Sequence, residues 1–238
     1  ATPASATDGV VTNCNNSGAG SLRAAILANS ANGGGTITFD GALNCDTISL
    51  LTPLYIDRDI NIVGPGAEEL AIELVDITDE NVQLYGYDHF AAIQINFDDV
   101  NNENLSDVSI SGLTVNSPRN SSSNYYPVAA ISVGNDPMLN AEGQDEMNLT
   151  ISDSKIIGYG QSSRGINAKL TGDSSINIID TEFENDPNFS EMFGLMSIGA
   201  NANIENMLEK AKGGFERSLK LKTESSEKIS LQGYKGLH

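Results

Sequence analysis

The sequence predicts an all-β solenoid, because short apolar strands recur at irregular intervals, polar turns separate them, and one amphipathic helix stands in front. Gly, Asn, Ser, Thr and Asp are abundant between Ile/Val/Leu-rich runs, there is no Trp, and only 6% of residues are aromatic. That is the composition of many short strands joined by tight turns. With 238 residues, 39% of them hydrophobic, the chain can bury a continuous core.

The helix comes first. In Ser21-Leu22-Arg23-Ala24-Ala25-Ile26-Leu27-Ala28-Asn29, Ser21 is placed as N-cap, Leu22, Ala25, Ile26 and Ala28 form an apolar face, and Gly33-Gly34-Gly35 ends the element. The two cysteines, Cys14 and Cys45, flank it. They fit either a disulfide that pins this segment or two buried free thiols, and an extracellular composition favours the disulfide.

Beyond the helix the hydrophobic period changes to two, with strands read at Thr36-Ile37-Thr38-Phe39, Thr47-Ile48-Ser49-Leu50 and Ile60-Asn61-Ile62-Val63, the last running into Gly64-Pro65-Gly66. Three later segments, starting at Val108, Leu149 and Ile176, align as an I-x-I-like strand, a small or acidic corner and a second apolar residue. A companion set starts at Ala129, Gly165 and Gly194. Equivalent positions lie 41 and 27 residues apart in the first set and 36 and 29 in the second. One such unit cannot bury its own apolar face, but stacked units share a core. The longer intervals read as loops, with 98–104 and 116–126 as candidates. At about 4.8 Å per stacked strand, seven or eight units make a rod about 35 Å long.

The chain therefore divides into an N-terminal cap at 1–35, stacked units at 36–205 and a tail at 206–238. The body to residue 205 carries 28 acidic and 6 basic side chains, whereas the tail carries 4 acidic and 7 basic. In the tail Met207, Leu208, Ala211, Phe215 and Leu219 form a broken helical stripe across Gly213-Gly214. This predicts a helical C-terminal segment that caps the body or docks onto the acidic surface of another copy, unless the tail is of foreign origin.

A formal charge of −19 argues against nucleic acid or an anionic membrane as partner, since neither meets a Lys/Arg cluster in the body. No run of about 18 apolar residues is present, so no membrane-spanning helix is expected. The start, Ala-Thr-Pro-Ala-Ser-Ala, reads as a mature N-terminus after removal of a signal peptide.

The runs Asn15 to Asn29, Gly35 to Phe39 and Ile60 to Gly66 resemble the beginning of secreted bacterial right-handed parallel β-helix proteins with a Ser-Leu-Arg-x-Ala-Ile cap motif, although Ala24 stands where that group has Glu. The segment Leu149 to Ile156 is similar to the repeats of polymorphic-outer-membrane-protein-like, adhesin-like β-helices. The cap motif is carried by Ser21, Leu22, Arg23, Ala25 and Ile26. The resemblance implies a right-handed parallel β-helix, export, and a surface or adhesive role.

Catalysis has to be sought residue by residue, because such folds also host polysaccharide lyases and glycoside hydrolases. The body offers only Arg23, Arg58, Arg119, Lys155, Arg164 and Lys169 as basic groups. Arg23 reads as a helix-to-body contact, while Lys155 and Arg164 flank one unit and could meet a ligand such as a sugar carboxylate. Asp98 and Asp99 form the most suggestive acidic pair, but neighbours on a strand point to opposite faces. His89 is the only histidine besides His238, and no Gly-x-Ser-x-Gly elbow surrounds a serine. No cofactor is expected, with Ca²⁺ the one ion worth carrying. Its candidate ligands are Asp98, Asp99 and Glu103, with Asp76, Asp79 and Glu80 as a second set. Tyr85, Tyr87, Tyr125 and Tyr126 are candidate sugar-stacking residues, beside Tyr55 and Phe90. The expected function is a non-catalytic extracellular module for surface attachment, glycan contact or assembly. The alternatives are a polysaccharide lyase or glycoside hydrolase, and a self-assembling filament subunit joined through 206–238.

Overall fold

The computed structural model describes residues 8–78, 91–95, 107–119, 128–134, 147–159, 163–169 and 174–185, and the backbone of strands at 191–198, 201–205, 208–211, 218–223, 229–232 and 235–236. These residues form one helix and three sheets in which every strand pair is parallel. The first, sheet A, stacks β1 (Gly9–Val11), β2 (Gly35–Phe39), β5 (Ile60–Val63), β8 (Asp107–Ser111), β11 (Asn148–Ser152), β14 (Ser175–Ile179), β17 (Asn201–Glu205) and β20 (Ile229–Gln232). Sheet B stacks β3 (Thr47–Leu50), β6 (Ala71–Leu74), β9 (Thr114–Asn116), β12 (Lys155–Gly158), β15 (Glu182–Asn185), β18 (Leu208–Ala211) and β21 (Lys235–Gly236). Sheet C stacks β4 (Leu54–Ile56), β7 (Ala91–Ile95), β10 (Ala129–Val133), β13 (Ser163–Lys169), β16 (Glu191–Ile198) and β19 (Ser218–Thr223). From β2 onward the chain visits A, B and C in fixed rotation, and each strand inside a sheet pairs with its counterparts one circuit earlier and one later.

Alternation within each strand decides what stacks. In sheet A the register sets Ile37, Ile62, Ile110, Ile151 and Ile178 in one row. A second row holds Ile60, Val108, Leu149 and Ile176. In sheet B the equivalent row is Ile48, Ile72, Val115, Ile156 and Phe183. All of these side chains are buried and belong to one contiguous hydrophobic cluster. Each is worth about 1.5–3 kcal/mol of transfer free energy relative to exposure. Sheet C departs from simple alternation, since every residue of β7 and β10 is buried. Strands covered on both faces read as continuous rather than alternating apolar runs.

The corner from A to B is built the same way in successive circuits. Gly112, Asp153 and Asp180 follow β8, β11 and β14 and all take left-handed backbone, with φ of 63°, 49° and 45°. Gly meets no Cβ penalty there, and Asp is among the side chains that best tolerate that region. The next residue, Leu113, Ser154 or Thr181, is buried, and the Ser154 and Thr181 hydroxyls donate to the Ser152 and Ile179 carbonyls inside the corner. Gly64 precedes these corners, and a Cβ on it would collide with the Gly112 carbonyl.

The helix α1 (Leu22–Ala31) begins as expected, with Ser21 accepting a hydrogen bond from the Ala24 N–H. Its buried stripe differs from the expected one: Leu22, Ile26 and Asn29 are buried and Ala25 half-buried, whereas Ala28 is exposed. Asn29 takes the core-facing position because its side-chain amide donates to the Ala25 carbonyl within the helix. Cys14 and Cys45 form a disulfide with Cα atoms 6.5 Å apart, closing a sequence separation of 31.

Three expectations are corrected. The described residues of the tail are strands, not helix: β18, β19, β20 and β21 continue the three sheets, so at these positions pairing with the preceding circuit overrides the helical stripe. The separation between β10 and β13 is 35, with Ala129 opposite Arg164 and Ile131 opposite Ile166. An offset of 36 would have turned the apolar set of one strand to the wrong face. The excursion expected from residue 116 starts later, because Asn116 ends β9 and Ser117 and Pro118 are buried.

Candidate functional site

The predicted residues fall into three places. Those of the cap motif converge on one joint. Leu22 and Ile26 are buried in the core and Ala25 packs against it. Arg23 turns the other way and donates to four acceptors: the Asn16 carbonyl at 3.0 Å, Asn16 Oδ1 at 3.2 Å, and the Thr52 and Pro53 carbonyls at 2.6 Å each. It therefore ties the helix to the loop before it and to the turn between β3 and β4. Burial lowers its pKa, with Tyr55 opposing the shift. The guanidinium stays charged, and its work is structural.

The second place is Lys155, on the outer face of sheet B. Its Nζ lies 3.0 Å from Glu184 and 3.9 Å from both Glu182 and Glu68. The Lys155 and Glu184 side chains are only 14% and 6% exposed. Burial alone pulls the Lys155 pKa down. The hydrogen bond to Glu184 and the charges of Glu184, Glu182 and Glu68 outweigh it, and the ammonium is held above its ordinary value. Arg164, on sheet C, is half-buried and donates to Asn167 Oδ1 at 3.1 Å. Lys155 and Arg164 therefore sit on different sheets.

The third place is a cleft of about 220 Å³ beside the ends of β6, β9 and β12, lined by Glu73, Leu74, Asp76, Asn116, Ser117, Arg119 and Tyr159. The register creates it: Glu73 and Asn116 are cross-strand partners on adjacent circuits, and Ile157 follows in the same outward row. The Ser117 N–H donates to the Ile157 carbonyl and its Oγ accepts from the Tyr159 N–H at 2.7 Å, which fixes one wall. Opposite, the Arg119 N–H donates to Asp76 Oδ1 at 3.3 Å and the Ile77 N–H to the Arg119 carbonyl at 2.7 Å. The Arg119 guanidinium lies over the Tyr159 ring, 4.7 Å from its centroid, within the range of a cation–π contact.

Asn116 is the unusual member. It is only 7% exposed, and its Oδ1 is buried with no hydrogen-bond partner. A buried amide oxygen without a donor costs about 1–3 kcal/mol. Sequence reasoning had placed Arg119 among the basic groups and Asp76 among the Ca²⁺ ligands, but it missed Glu73, Asn116 and Tyr159. The register of β6 on β9 and of β9 on β12 brings them together.

Tyr85, Tyr87, Tyr125, Tyr126, Asp98, Asp99 and Glu103 lie outside the described residues, as do Asp79, Glu80 and His89. Among the described residues no group of three or more His, Cys, Asp or Glu side chains is arranged to hold a metal ion, and no helix is long and apolar enough to cross a membrane. Comparison with protein-family models, with curated proteins and with solved structures finds no match to this chain.

Proposed function

We propose that the three sheets are the faces of a right-handed parallel β-helix, and that the protein is a non-catalytic extracellular module that contacts glycans through the cleft between Asp76 and Tyr159. The fixed A, B, C rotation supports the winding, and parallel crossovers are right-handed in about 98% of cases. The Cys14–Cys45 bond and the absence of free cysteines among the described residues fit an oxidising compartment.

The observation that carries the reading is a cleft walled by carboxylates, a guanidinium and a phenol, with the guanidinium held over the phenol ring. Sugars are recognised by such sets, whose planar polar groups exchange hydrogen bonds with hydroxyls. The cleft is smaller than the roughly 300–1,000 Å³ typical of sites that enclose a drug-sized ligand, which suits one ring of a longer chain.

A lyase reading is weaker. Lys155, one candidate base, is poorly suited, because a general base works best with a pKa near the working pH, whereas this ammonium is stabilised by three carboxylates. Glycan-array binding tests the proposal. The wild-type protein should retain a defined set of glycans, and Arg119→Ala should reduce retention roughly five- to tenfold. Retention indifferent to Arg119→Ala would remove the cleft from the function.

A further inference from the structure

Away from the cleft, the triplet Asn-x-Ser/Thr occurs at Asn15, Asn104, Asn120, Asn148 and Asn188. On a surface loop of an exported protein this triplet is the acceptor of an N-linked glycan. Asn15 and Asn148 are the two among the described residues, and the fold treats them in opposite ways. Asn148 opens β11, and both ends of its amide are in use. Its Nδ2 donates to Asp107 Oδ1 at 3.0 Å on the circuit before, and its Oδ1 accepts from Ser175 Oγ at 2.6 Å on the circuit after. A sugar on Nδ2 would wedge into a row of side chains stacked about 4.8 Å apart.

Asn15 stands in the loop between β1 and α1, exposed, with a side chain that bonds to no other residue. Its neighbours hold the loop instead. Asn13 Oδ1 accepts from the Asn15 N–H at 3.2 Å, Cys14 is tied to Cys45, and Asn16 Oδ1 accepts from the Leu51 N–H at 2.9 Å and from Arg23 at 3.2 Å. Ser17, which completes the triplet, is exposed as well, and a Cβ placed on Gly18 meets nothing within 4 Å. The loop is therefore fixed at its base and open where a glycan would stand.

We infer that Asn15 carries an N-linked glycan in the exported protein and that Asn148 stays bare. This step rests on the extracellular part of the reading above and not on the cleft. In the transfer, Asn15 Nδ2 bonds to the anomeric carbon of a lipid-diphosphate-linked oligosaccharide. The bond from that carbon to the diphosphate oxygen breaks, its electron pair leaves with the lipid diphosphate, and one amide proton passes to a base of the oligosaccharyltransferase. The Asn15 amide keeps its other N–H, and no contact of the cap is lost.

Peptide mapping of the full chain, recovered from the medium and outer surface of the cells that produce it, tests this. Peptide N-glycosidase in heavy-oxygen water turns each glycosylated Asn into a labelled Asp, and label is expected at Asn15 and not at Asn148. When the chain is secreted from a eukaryotic host, Asn15→Gln should lower its mass by one glycan with the secreted yield unchanged, whereas Asn148→Gln should remove none. A bare Asn15 in the exported protein, label at Asn148, or a mass indifferent to Asn15→Gln overturns the assignment and leaves the extracellular reading standing. Protein found only inside the producing cells overturns that reading and this step with it.

Discussion

The two ends of the stacked sheets are built on different terms. At the first circuits three devices act together: α1 covers the core with Leu22 and Ile26, the Cys14–Cys45 bond closes the surrounding loop, and Arg23 ties both to the turn before β4. At the last circuits the backbone pairing persists, but the apolar rows do not all persist with it. Sheet A continues from Ile178 to Ile204 and Leu231, whereas in sheet B the row Ile48, Ile72, Val115, Ile156, Phe183 is followed in register by Glu209. The comparison teaches that a strand can be recruited by its neighbour's hydrogen bonds even where its sequence no longer repeats the core pattern. Such a circuit should be the weaker one.

The sharpest break of this comparison is Phe183→Ala, which removes the last large buried side chain of the sheet B row among the described residues. A cost of about 3–5 kcal/mol is expected, read as a lower midpoint in urea with hydrogen exchange accelerated first in β15 and β18. If β2 and β5 exchanged equally early, the far end would not be the weaker one. Cys14→Ser/Cys45→Ser should cost roughly 3–4 kcal/mol by the chain-entropy argument for a loop of this size, with exchange accelerated around β1 and α1. Lys155→Met removes the 3.0 Å contact to the nearly buried Glu184 carboxylate and should cost roughly 1–3 kcal/mol.

The pH dependence at Lys155 has a definite sign. The folded-state pKa is raised, so the stabilisation is fully present below the unfolded value of about 10.4 and is lost as pH rises through the folded value. Wild type should therefore show a loss of stability confined to strongly alkaline pH, and Lys155→Met should lack that component. The smallest effect is a gain: Glu209→Leu, at the register position of Phe183, should stabilise the far circuits by about 1 kcal/mol, seen as slower exchange in β18. No change there would mean that position 209 lies off the apolar row.

Much of sheet A was legible because its signal is local. Period-two alternation and a small or acidic corner marked β8, β11 and β14, and Val108, Leu149 and Ile176 are in true register at the separations read from the sequence. The strands β4, β6 and β7 were not read. The first two are only three and four residues long, and β7 is buried throughout, so it offers no alternation to detect. The helical stripe in the tail was genuine at the level of spacing, yet Leu208 to Ala211 pair with Glu182 to Asn185, a contact with no trace in the tail's own sequence. The cleft was hidden for the same reason. Glu73 and Asn116 become neighbours only through the register of β6 on β9, and nothing around either residue announces the other.

Spacing between circuits has a consequence for how such a chain can vary. Ile60 and Val108 pair across 48 residues, Leu149 and Ile176 across 27, and both ladders carry the same kind of aliphatic row. Loop-closure entropy grows only with the logarithm of length, so the longer excursion costs about 0.5 kcal/mol more than the shorter one, less than one well-buried methylene contributes. Corners between sheets can therefore lengthen or shorten with little thermodynamic resistance while the rows stay fixed. New surface, with new binding chemistry, is accessible to this architecture by insertion at the corners rather than by redesign of the core.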